Sequence, residues 1–200
     1  MQVTAPTVEP LTIAAAKLQV RLETTADDPL VLDAIRAARE YCESFADISA
    51  ATTTWRLTLD AFPIGGEWTW GVQGANPDTP WSGYGAAGLI RVPRPPLQSV
   101  TTIKYVDLNG TLQTLASTEY RVDADSMPAR ITPEYGKIWP VTRPVIGAVQ
   151  VNYVAGYTTV PEKVLQAIRL LFAAYYERRE PTPTELNSAH NLLWMAWHGG

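Results

Sequence analysis

The sequence predicts an α+β fold: a helical core of two long helices plus short terminal helices, with a central β insertion containing an Asn-Gly hairpin. Three observations predict it. Apolar residues recur at helical spacing over two stretches, Val31 to Phe45 and Val164 to Tyr175, one towards each end of the chain. Between them, Thr52 to Phe62 alternates apolar and polar residues as a half-buried strand does. Asn109-Gly110 then lies between two apolar-rich runs, Ile103, Tyr105 and Val106 before it and Leu112 and Leu115 after it. That dipeptide suits a two-residue type I′ turn, in which both central residues need φ > 0.

In order along the chain, Pro6 and Pro10 make Met1 to Pro10 an extended arm. Thr12 caps a short helix over Ile13 to Val20, with Lys17 towards solvent. Asp28 as N-cap and Pro29 at the first helical position start a long helix that runs to about Phe45, with acid at the positive end of its dipole. Val31, Ile35, Ala38, Cys42 and Phe45 form its apolar stripe; Arg36, Arg39, Glu40 and Glu43 fall largely on the other side.

Pro63 ends the first strand. Residues 63–88 are then rich in glycine and carry Trp68, Trp70, Trp81 and Tyr84. A connection this long is functional or mobile. Its aromatics either fold back on the sheet or seat on a partner, where Trp is enriched. Leu89 to Val92 is a short strand, and Pro93-Arg94-Pro95-Pro96 a rigid corner at a sheet edge. Arg91 and Arg94 there are either solvated charges that deter edge pairing or a charged contact for an acidic partner.

After the hairpin, Tyr120 to Val122, Ala129 to Thr132 and Gly147 to Tyr153 read as strands, and Pro133 to Pro144 as a loop holding Trp139. Thr159 caps the second long helix, in which Val164, Ile168, Leu171 and Tyr175 form the stripe. Pro181 and Pro183 set off a last helix, Glu185 to Trp197. Its Leu186, Leu193, Trp194 and Trp197 are more apolar than a terminal helix normally leaves wet, so they are candidates for a partner's groove. The alternative is that this helix folds back and completes the core. The chain thus divides into helical parts 1–50 and 159–180, a β-rich insertion 52–157 and a C-terminal segment 181–200, within one domain.

Composition bounds the function. The 200 residues suffice to bury roughly 70% of the unfolded surface without staples. No run approaches the ~20 apolar residues of a membrane span, and no signal peptide is read at Met1-Gln2-Val3. Cys42 is the single cysteine, which fits a reducing compartment. A net charge of −4 argues against gripping nucleic acid by its phosphates, but leaves room for surrounding DNA without holding it. Catalytic signatures are missing: no nucleophile elbow, no phosphate loop, no dinucleotide fingerprint. His190 and His198 lie roughly 12 Å apart along a helix, too far to share a metal. Asp123 and Asp125 read as a plain turn. No catalytic, cofactor or metal residue is therefore expected.

The order of elements resembles the head–tail connector (adaptor) proteins of long-tailed double-stranded DNA bacteriophages. The likeness lies in Leu11 to Leu18, the Asp-Asp start of the long helix, Thr54 to Pro63, Arg94 to Val100, Ile103 to Asp107, Tyr120 to Asp123, Pro128 to Ile131, Val154 to Tyr157 and Tyr176 to Glu180. It covers nearly the whole chain; the Gly/Trp stretch is longer than the family pattern. The resemblance implies a structural virion protein without enzymatic activity, located at the head–tail junction and in the host cytoplasm during assembly. It implies a dodecameric ring below the portal that continues the DNA channel and meets the next neck protein, a stopper or tail completion protein. Portal docking then falls to the 181–200 segment, and double-stranded DNA passes through without sequence-specific contact. A glycan- or surface-binding β module using exposed tryptophans is the reading from another class.

Overall fold

The computed structural model describes residues 1–63 and 88–198, with side chains to Ala196 in the last helix. The fold is α+β, with four α-helices and two antiparallel sheets among the described residues. The chain forms two compact units, one of residues 4–53 and 155–200, the other of residues 1–3 and 54–154.

The first unit is helical. Helix α1 (Ile13–Gln19) starts where the Thr12 hydroxyl accepts a hydrogen bond from the Ala15 N–H at 3.2 Å. Lys17 does not point into solvent as expected: its ammonium pairs with Asp28 at 2.8 Å. Helix α2 (Asp28–Ala46) has Asp27, not Asp28, as its N-cap. The Asp28 carboxylate is engaged by Lys17, and Asp27 instead accepts from the Tyr176 hydroxyl at 3.2 Å. Helix α3 (Glu162–Arg178) opens on Pro161, whose carbonyl takes the Leu165 N–H. Thr159 lies outside the helix and does not cap it. Helix α4 (Pro183–His198) opens on a capping box: Thr182 N–H and hydroxyl donate to the Glu185 carboxylate, and Glu185 N–H returns to the Thr182 hydroxyl.

The core of this unit gathers both long stripes. Val31, Ile35, Ala38 and Cys42 of α2 are buried with Val164, Ile168, Leu171 and Phe172 of α3, and Ala189 and Leu193 of α4 join them. Phe45 leaves the expected stripe; it is half exposed and stacks on His190, ring centroids 3.7 Å apart. Arg39 and Glu43, expected on the solvated side, are buried. The reason is an ionic network. Arg39 bonds Glu43 at 2.5 Å and Glu9 at 2.8 Å, and the other oxygen of Glu43 accepts from the Ala50 N–H at 2.8 Å. Burial draws the Arg39 pKa down, yet Glu43 and Glu9 together hold it above its ordinary value.

The second unit is β. Strands β1 (Gln2–Thr4), β2 (Thr53–Leu59), β4 (Leu97–Val106), β5 (Leu112–Leu115) and β8 (Val149–Ala155) form a sheet in the order β1-β2-β8-β4-β5. Strands β3 (Ile90–Val92), β6 (Tyr120–Asp123) and β7 (Ala129–Pro133) form another, in the order β3-β7-β6. Ile90, Val92, Ile103, Ile131, Val149, Val151 and Tyr153 are buried.

Strands β4 and β5 pair antiparallel with Val106 opposite Leu112. The connection is wider than a two-residue type I′ turn. Gly110 has φ +87°, but Asn109 is not at positive φ. The Asp107 carboxylate decides this. It accepts from the Asn109 and Thr111 N–H groups and from the Gln113 amide, all at 2.9 Å, while Gly110 N–H closes on the Asp107 carbonyl. That arrangement needs one left-handed residue, and glycine supplies it.

Candidate interaction surfaces

The sequence-predicted partner residues of α4 separate by exposure. Leu193 is 2% exposed and Leu186 packs against the same core. Neither offers itself to a partner, because α4 closes the helical core with this face. Trp194 is 64% exposed and Met195 about half, one residue further round the helix. Trp197 belongs to α4, but its side chain lies outside the described residues. The capping box fixes where the helix begins. Arg178 pairs with Glu185 there, and with the Thr182 donors it holds the Glu185 pKa down at about 2. Trp194 is thus presented on a helix with a defined start and a buried opposite face.

Arg91 and Arg94 do not act as a pair. Arg91 is exposed on β3, opposite Arg130 of β7. Arg94 sits in the proline corner at φ +61°, with its guanidinium 5.3 Å from the centre of the Trp55 ring. That cation–π contact ties the corner to β2. The corner is further held by the Tyr153 hydroxyl, which donates to the Pro93 carbonyl at 3.1 Å. Trp68, Trp70, Trp81 and Tyr84 lie outside the described residues, so the sugar-stacking alternative takes no support from those described.

One surface escaped the sequence reading. Residues 134–148 join β7 to β8 and carry Tyr135, Ile138, Val141, Val145 and Ile146, all exposed. The segment has no hydrophobic period, so nothing in its pattern separates an outward apolar side chain from an inward one. Its signal was composition alone: large apolar residues in a stretch punctuated by Gly136, Pro140 and Pro144. Trp139, by contrast, points inward. It stacks on Phe62 at 4.7 Å and its indole N–H donates to the Gly88 carbonyl at 2.5 Å.

Three further ionisable groups, Asp123, Cys42 and His190, are engaged within the fold. Asp123 accepts from Ser126 and Arg130, which lower its pKa to about 2. It therefore closes its turn as a carboxylate at neutral pH. Burial pushes the Cys42 thiol up to about 12, which keeps it protonated and unreactive. His190 is held between Phe45 and Tyr41, whose hydroxyl lies 2.9 Å from its Nε2. Among the described residues no group of three or more His, Cys, Asp or Glu side chains could hold a metal ion, and no helix is long and apolar enough to cross a membrane.

No protein-family model matches the chain, and no curated protein sequence does either. Solved structures do. A chain in the neck of an empty gene transfer agent particle, computed with C6 symmetry, superposes with a TM-score of 0.70 at 23% identity, over 96% of this chain and 93% of that one. A chain in the virion of a native gene transfer agent particle gives 0.66 at 24% identity, over 96% and 92%. One from the neck of the native particle, computed with C12 symmetry, gives 0.63 at 22%, over 96% and 93%. The chain shares the fold of these particle components almost end to end.

Proposed function

We propose that this chain is a structural head–tail adaptor in the neck of a tailed phage or phage-like particle. It forms a ring below the portal, continues the DNA channel and joins the capsid to the next neck or tail protein. The observation that carries this reading is the extent of the fold likeness: it spans 96% of the chain and at least 92% of each neighbour, so both units are included. The C12 symmetry of one neighbouring neck supports a dodecameric ring. A net charge of −4 suits a lumen through which DNA slides, since acidic walls repel phosphates. In this reading the chain has no catalytic role, and the exposed Trp194 end of α4 meets the portal.

Electron microscopy of the purified chain mixed with the portal of its particle tests the reading. A ring coaxial with the portal is the expected result. Absence of any association between the two proteins defeats it.

A further inference from the structure

Asn109-Gly110 is the one Asn-Gly step in the sequence, and it is chemically labile. Glycine has no side chain to shield its backbone nitrogen. That nitrogen lies one residue after an asparagine, within reach of the side-chain carbon Cγ once the backbone between them rotates. Asn109 and Gly110 are both exposed at the tip between β4 and β5, so water and base reach them.

The fold nevertheless holds the two reacting groups still. Gly110 N–H donates to the Asp107 carbonyl at 2.9 Å. One carboxylate oxygen of Asp107 accepts from Asn109 N–H and from Thr111 N–H, each at 2.9 Å, and so grips the chain on both sides of Gly110. The other oxygen accepts from the Gln113 amide at 2.9 Å. Asp107 N–H in turn donates to the Thr111 carbonyl at 2.9 Å. The bond from Gln113, followed by that from Thr111 N–H, holds the Asp107 carboxyl below its ordinary pKa, so the clasp is charged at neutral pH.

We infer that Asn109 is a site of spontaneous self-modification which the Asp107 clasp holds shut. The reaction is deamidation. A base takes the Gly110 amide proton, and the nitrogen attacks Asn109 Cγ. The new Cγ–N bond closes a five-membered imide while the Cγ–Nδ2 bond breaks and ammonia leaves with a proton. Water then opens the imide at either carbonyl, giving aspartate or isoaspartate. Closing the ring requires rotation about the Asn109 Cα–C bond. That rotation carries Gly110 N–H off the Asp107 carbonyl and Thr111 N–H off the carboxylate. The Asp107 charge also opposes loss of the amide proton, whereas the Arg143 guanidinium beside Gly110 favours it. The restraint is therefore chiefly conformational: the nitrogen is kept from its attack position. Once isoaspartate forms, the main chain runs through an extra methylene and the clasp can no longer close. The inference does not depend on the neck reading.

The test incubates the full chain at mildly alkaline pH and follows position 109 by peptide mapping and mass spectrometry. Three samples are compared: folded wild type, wild type unfolded in guanidinium chloride, and folded Asp107→Ala. Asp107→Asn, which keeps one acceptor oxygen, takes the place of Asp107→Ala if that variant melts below the incubation temperature. Unfolded wild type should convert Asn109 to aspartate and isoaspartate. Folded wild type should do so at least about tenfold more slowly, since one hydrogen bond to a charged group weighs on a barrier by about that factor. Folded Asp107→Ala should regain most of the unfolded rate. Three results overturn the inference: no conversion in the unfolded chain, equal rates in folded and unfolded wild type, or a folded clasp variant as slow as wild type.

Discussion

Arg39 Nη1 donates a hydrogen bond to Glu43 Oε2 at 2.5 Å, one helical turn along α2, and both side chains are almost wholly buried. The pair does more than neutralise itself. Glu43 also accepts from the Ala50 and Ala51 N–H groups, and Arg39 reaches Glu9. The extended arm before α1 and the chain leaving α2 are thereby fastened to one helix face. Arg39→Ala should cost roughly 3–5 kcal/mol, because Glu43 and Glu9 would lose the guanidinium they share. Urea denaturation measures it; a loss below about 1 kcal/mol would show that water replaces the guanidinium.

This pair also marks where sequence reading stopped. Periodicity located the two long helices, because a stripe such as Val31, Ile35, Ala38 and Cys42 is a property of local spacing; capping and turn residues located α1 and α4. Arg39 and Glu43 were assigned to solvent because charge normally goes there. What buries them is Glu9, thirty residues earlier, and a non-local partner leaves no local pattern. The same holds for Lys17, claimed by Asp28. The exposed segment 134–148 was missed for a related cause. Alternation and helical period report on regular elements, and Tyr135 to Ile146 belong to none.

The joint core of α2 and α3 makes a simpler prediction. Ile35 and Ile168 are fully buried in one cluster. Replacing either by Ala should cost roughly 2–5 kcal/mol, the lost transfer energy plus that of the cavity left behind. A denaturation midpoint that does not move would mean the site collapses around the smaller side chain.

Two glycines should respond differently to the same substitution. Gly110 has φ +87°, and a Cβ there would meet only the far end of the Arg143 side chain, which can swing away. Gly110→Ala should cost about 1–2 kcal/mol, the left-handed strain alone. Gly156 has φ +135°, and a Cβ there would lie 2.6 Å from the Ala51 carbonyl carbon, which is backbone and cannot yield. Gly156→Ala should lower the melting temperature clearly more than Gly110→Ala. Equal shifts would show that the chain near Ala51 adjusts freely.

The turn at Asp123 predicts an acid response. Its hydrogen bonds from Ser126 and Arg130 lower the folded-state pKa from 3.8 to about 2. A depressed carboxylate pKa contributes stability above the unfolded value, and that contribution is lost as pH falls through the folded value. Asp123→Asn should therefore melt below wild type at neutral pH, and the two curves should converge between about pH 4 and pH 2. A gap between them that stays constant down to pH 2 would show that the carboxylate's charge is not what closes the turn.

The last prediction separates the two roles of α4. Ala189 and Leu193 are buried in the helical core, so removing the segment after Glu180 strips that core of one wall. The truncated chain should lose cooperative unfolding or aggregate, and its failure to bind a portal would then say nothing about docking. Trp194 allows a cleaner experiment. It lies on the same helix but is mostly exposed, so Trp194→Ser should change stability by no more than about 0.5 kcal/mol. If this end of α4 is the portal contact, that single change should weaken portal binding about tenfold or more, since a tryptophan at the centre of an interface contributes at least about 2 kcal/mol. Leu193→Ala should do the reverse: a loss of roughly 2–5 kcal/mol in stability, with portal affinity unchanged for the fraction that remains folded. Stability from chemical denaturation and affinity from a titration of portal, read on both variants, make the comparison. Trp194→Ser binding portal like wild type would leave α4 as a wall of the core and nothing more.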